Sequence, residues 1–153
     1  MVSPEFRQGY SWDQVHIGGV WFDDHGGSYN DGTLVGADVG TDEIWSDNRN
    51  GTTDAFFANL GAALNANHGE DAEIHLRQCY AGDANPDGER PLLRRAALSS
   101  GHSVTGPQGY VDYSEDQIDG HPDYFAEGGY YMATPNASGT DVTYSQYGDW
   151  YVF

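Results

Sequence analysis

The chain has 153 residues, which suits one domain, and a chain of this length buries roughly two-thirds of its unfolded surface on folding. Twenty-four acids face six arginines and no lysine, a formal charge of −18. That balance excludes the cation-rich surfaces that nucleic acids and anionic membranes require. In chain order, the first predicted element lies in "QVHIGGVWFDDHGG", Gln14 to Gly27. Val15 to Phe22 is apolar and β-rich, and the run stops at Asp-Asp-His-Gly-Gly, so it reads as a strand ending in a sharp loop. Residues 28–52 are rich in Gly, Asp, Asn and Ser and read as a long loop, with apolar islands at Thr33–Val35 and Glu43–Trp45 that suit a small hairpin.

A helix follows, capped by Thr52 or Thr53; Ala55, Phe56, Leu60, Ala63 and Leu64 recur at helical spacing, and Gly69 supplies a left-handed C-cap. "DAEIHLRQC" is a second strand, with Ile74 and Leu76 on a drier face than His75 and Arg77. Pro91 sits in the first turn of a second helix in "GERPLLRRAALSSG", and Gly101 follows its end. "HSVTGPQGYVDY" is a third strand with a Gly-Pro break. The Tyr- and Thr-rich stretch from Gly129 to Phe153 suggests one or two hairpins, and its last residues, "GDWYVF", look like a closing strand or the end of a domain cut from a longer protein. Alternating strands and helices imply an α/β fold: a mostly parallel sheet flanked by helices, with a β-rich C-terminal tail, in one domain over 1–153.

No apolar run is long enough to span a membrane, and no charged region followed by an apolar one marks a signal peptide. The acidity suits a halophilic cytoplasm, where salt screens self-repulsion, or a domain of a secreted protein; it also suits calcium and basic partners, or simply a solvated surface.

The chemistry-bearing residues fall at strand ends. His25 follows the first strand and the lone Cys79 ends the second. In an open α/β sheet the carboxyl ends of the strands form the ligand rim, so parallel, adjacent strands bring both side chains to one edge. A nearby imidazole generates the thiolate that makes a cysteine nucleophilic. Gly26 and Gly27 allow close approach to the backbone, and the N–H groups of Gly26 and Cys79 suit a developing oxyanion.

The pairs "DDHGG" and "IHLRQCYAG", 54 positions apart from His25 to Cys79, resemble the short bacterial type of the caspase–legumain–gingipain–clostripain superfamily of cysteine peptidases, over about Val15 to Val111. The resemblance implies a caspase-like fold and a Cys–His dyad that cleaves peptide bonds through an acyl-enzyme. Cys79 is then the nucleophile, His25 its base or imidazolium partner, and Gly26 an oxyanion donor. It implies a polypeptide substrate, with a side-chain pocket lined from the Val104–Tyr113 strand, and no required cofactor. The charge hints that the substrate is basic.

A different class of function stands beside it. "DANPDG" opens like a calcium loop, with Asp83, Asn85 and Asp87 as candidate ligands, although Arg94 occupies the place of the usual bidentate glutamate. The same residues also suit a polar turn leading into the helix. On the calcium reading the chain is a non-enzymatic, calcium-stabilised extracellular module for adhesion or assembly, or an inactive member of the same fold, and Cys79 is a small buried side chain. No histidine pair has the spacing of a zinc site.

Overall fold

The computed structural model describes residues 14–17, 26–29, 34–39, 42–67, 71–118 and 121–152. The first part of the chain forms β1 (Gln14–Ile17), β2 (Gly26–Tyr29), β3 (Leu34–Val39), β4 (Asp42–Trp45) and α1 (Thr52–Asn67). Then follow β5 (Glu73–Leu76), α2 (Pro91–Ser100), β6 (Ser103–Pro107), β7 (Val111–Ile118), β8 (His121–Pro135) and β9 (Val142–Val152). The rest of the predicted first strand, the histidine that follows it and the predicted C-cap Gly69 lie outside the described residues.

The larger sheet has the order β1-β5-β6-β8-β7, with β9 on the remaining edge of β8. β5 runs parallel to both β1 and β6, whereas the pairings of β8 with β6, β7 and β9 are antiparallel. The architecture is therefore α/β with a mixed sheet, and its parallel part is confined to β1, β5 and β6. Connection chemistry explains the split. α2 carries the chain from β5 to β6, a crossover that parallel pairing needs, while only two residues separate β7 from β8 and six separate β8 from β9, too few for a crossover, so these pairs are antiparallel. β6 and β7 lie in line along one edge of β8, pairing with residues 130–133 and 121–126 respectively.

One apolar cluster joins the elements. Ile74, Leu76, Val104 and Ala133 come from one face of the sheet and meet Leu92, Leu93, Ala96 and Ala97 of α2 with Phe57, Leu60 and Leu64 of α1. α2 lies against β6 and β8, and α1 packs on α2 and β4. At the helix crossing a Cβ on Gly61 would fall inside the van der Waals radius of the Ser100 carbonyl oxygen, so only glycine permits this approach. No described helix is long and apolar enough to cross a membrane.

Three local expectations change. In the stretch read as a long loop, the two apolar islands do form a hairpin, β3–β4, but β2 adds to it as a third antiparallel strand, and Val35 and Ile44 bury fully in the shared core. The face of β5 read as wetter is also buried: His75 is 1% and Arg77 3% exposed. Helix capping differs as well. The Asp54 N–H donates to Asn48 Oδ1 at 2.9 Å, while Thr53 Oγ1 accepts from Trp45 N–H at 2.6 Å and binds the helix to β4. By contrast Pro91 opens α2, and Gly101 closes it in the left-handed conformation, its N–H donating to Ala97 O.

Candidate functional site

β5 is apolar because Ile74 and Leu76 face the helices, and it delivers the chain to the carboxyl rim of the sheet. Its neighbour β1 ends level with it: Ile17 pairs with Leu76. Beyond Leu76, Arg77 and Gln78 stay buried and Cys79 is half-buried. The chain then reverses. Tyr80 takes φ 63°, its N–H donates to Gly109 O at 2.8 Å, and Gly82 N–H donates to Pro107 O at 2.7 Å. Residues 80–82 thus run back along the segment that follows β6, and Cys79 sits at the apex. Gly82 is required here, since a Cβ would collide with the Gly106 carbonyl.

His25, the predicted imidazole partner, lies outside the described residues. Gly26 begins β2 and pairs with Ala37 across the small sheet. The Val104–Tyr113 strand divides into β6 and β7, with residues 108–110 between them at the rim. There the large Tyr110 side chain stands out into solvent, 53% exposed.

The loop carrying the candidate calcium ligands is closed on itself. Asp83 Oδ1 accepts from Ala84 N–H at 2.9 Å and from Gln108 Nε2 at 2.6 Å. Asn85 Oδ1 accepts from the N–H groups of Asp87 and Glu89, each at 3.0 Å, in a polar turn that leads into α2. Asp87 is exposed. Among the described residues no group of three or more His, Cys, Asp or Glu is gathered in a way that could hold a metal ion. Asp83 Oδ1 and Asn85 Oδ1 are thus already engaged in holding the turn.

Arg90 and Gln108 are the members of this rim that sequence pattern did not mark. Arg90 Nη1 donates to Gly82 O at 2.6 Å and to Gln108 Oε1, and its guanidinium lies 3.3 Å from the centre of the Tyr131 ring on β8. The Arg90 N–H donates to Tyr144 Oη at 3.2 Å, and that hydroxyl donates to Glu89 Oε2 at 2.7 Å. Burial, and after it the bond to Glu89, pushes the Tyr144 hydroxyl up to about 12. Burial also pulls the Arg90 guanidinium below its ordinary value, against the attraction of Tyr131, Asp83 and Tyr144. Tyr131, Tyr144 and Gln108 come from β8, β9 and the segment after β6, so no local spacing could have revealed these contacts.

Two other polar groupings lie away from the rim. On the sheet face opposite the helices, His75 Nδ1 is 2.8 Å from Thr105 Oγ1, and its Nε2 is 3.3 Å from Glu73 Oε2. The bond to His75 holds the Glu73 carboxyl below its usual range. A groove of about 450 Å³ runs along α2 beside Ser46, Asp54, Arg94, Arg95 and Ser99. Arg95 Nη1 meets both Asp54 oxygens at 3.0 Å, Ser99 Oγ donates to Asp54 at 2.9 Å, and Arg94 pairs with Asp141 outside the groove. Set against family models, curated proteins and solved structures, the chain matches none.

Proposed function

We propose that the chain is a caspase-like cysteine endopeptidase domain. The observation that carries the reading is the position of Cys79 just past the carboxyl end of β5, which pairs in parallel with β1; in the sequence His25 comes eight positions after the last residue of β1. On this reading β1, β5 and β6 are the parallel part of a caspase-like sheet, and α1 and α2 cover one of its faces. The His25 imidazole takes the thiol proton as Cys79 Sγ attacks the scissile carbonyl carbon. The C–S bond forms, and the N–H groups of Gly26 and Cys79 hold the oxyanion. Collapse breaks the C–N bond, and the imidazolium passes its proton to the departing amine. Water then attacks the thioester, with His25 again as base, releasing the acid and the thiol. No cofactor enters. The net charge of −18 draws basic polypeptides toward the rim.

The test is alkylation of the folded protein. Cys79 is the single cysteine, so the signal has one source. An activated thiolate reacts quickly near neutral pH, and His25→Ala slows it. A thiol that reacts only after unfolding rejects the peptidase and leaves an acidic module, for which calcium-dependent melting, abolished by Asp83→Ala and Asp87→Ala, is the expected signature.

A further inference from the structure

The tripeptide Gln78–Cys79–Tyr80 is held in a costly conformation at both flanks of the thiol. Gln78 is fully buried, and among the described residues neither polar atom of its amide has a hydrogen-bond partner. Tyr80 occupies the left-handed region, which bulky side chains rarely enter. Such features persist only where neighbouring contacts over-determine them, and they gather at functional sites.

Backbone bonds from Tyr80 and Gly82 to the 107–109 segment make the reversal, and one side chain ties both partners of that contact together. Arg90 grips Gly82 O and Gln108 Oε1 through the same nitrogen while its guanidinium stacks on Tyr131. Gln108 in turn holds Asp83. Both ends of the 80–90 loop are thereby bolted to the segment after β6 and to β8. A planar, stacked guanidinium does this in a way that a lysine ammonium cannot.

We infer that Arg90 is a positioning residue for Cys79: it locks the strained reversal and so sets the reactivity of the thiol, acting through Gly82 and Gln108 without touching substrate. This role rests on the peptidase reading above. The test measures the iodoacetamide rate of the full chain against pH, with thermal melting in parallel, for wild type, Arg90→Ala, Arg90→Lys and Arg94→Ala. Arg90→Ala is expected to raise the pH midpoint by about one unit and slow the reaction at neutral pH about tenfold, as the thiolate fraction falls. Arg90→Lys does not restore it. Arg94→Ala removes the same charge one turn along α2 and leaves rate and midpoint unchanged. Should Arg90→Ala not fold, Gln108→Ala cuts the links to Arg90 and Asp83 while leaving Arg90 on Gly82 O and Tyr131, and it moves the midpoint in the same direction by less. A reactive wild-type thiol whose midpoint ignores these changes, whatever happens to the melting temperature, overturns the role of Arg90 by itself. A wild-type thiol that titrates and reacts like free cysteine removes the peptidase reading and this role together.

Discussion

Replacing Gln78 by methionine should make the protein more stable. The side chain is 0% exposed, and among the described residues neither its amide oxygen nor its amide nitrogen is hydrogen-bonded. A buried amide left in this state costs about 1–3 kcal/mol on the scale of mutational data. Methionine follows nearly the same path with an unbranched, adaptable chain, so little cavity or overpacking term opposes the gain. The net expectation is about 1–2 kcal/mol of added stability. For a chain of this length that is a rise of about 2–4 °C in melting temperature per kcal/mol. Urea denaturation provides the cleaner assay: the midpoint should rise while the m-value stays constant. Gln78→Ala is the control, because it removes the amide but also leaves a cavity, and it should not stabilise. A loss of about 1 kcal/mol or more in Gln78→Met would mean that the amide is satisfied in solution and would refute the reasoning. If the peptidase reading holds, the stabilised variant also loses activity, since a destabilising group beside a nucleophile is retained for function rather than for folding.

Gly61→Ala should destabilise by about 1–3 kcal/mol although alanine is the better helix former, because its Cβ meets the Ser100 carbonyl and forces α1 and α2 apart; an equal or higher melting temperature contradicts the crossing. Phe57→Ala, at a fully buried position in the shared core, should cost about 3–5 kcal/mol in chemical denaturation. The Glu73 carboxyl is held below its ordinary 4.5 by His75, so its contribution is present above that value and fades as pH falls through the lower folded value. Glu73→Gln should therefore flatten the acid side of the stability–pH curve below about pH 4.5, and an unchanged curve argues against the pair.

The helices were legible because their signals are local. Pro91 and Gly101 bracket α2, and the apolar spacing from Ala55 to Leu64 marks α1. β5 was legible from Ile74 and Leu76. Its second face reads as wet, since His75 and Arg77 look like solvent residues until the rest of the fold covers them. The helix cap reads as a threonine although the Asn48 side chain provides it, because Asn48 reaches the helix across the short 3₁₀ segment Arg49–Gly51. The candidate nucleophile could be named from its place at a strand end, whereas the groups that shape its loop could not.

What the amino-acid order determined by itself is the set of short-range choices: which segments coil, which extend, where glycine or proline interrupts them, and that the only thiol follows an apolar strand. What only the tertiary structure decided is pairing across long separations. It set the small sheet over the helices, the change from parallel to antiparallel at β6, and the contacts of Arg90 with Tyr131 and Tyr144, which lie 41 and 54 positions away. The physical reason is that local propensity acts over a few residues, while the partner of a strand edge or a guanidinium is chosen by burial of the whole core. That choice carries no short-range signature in the chain.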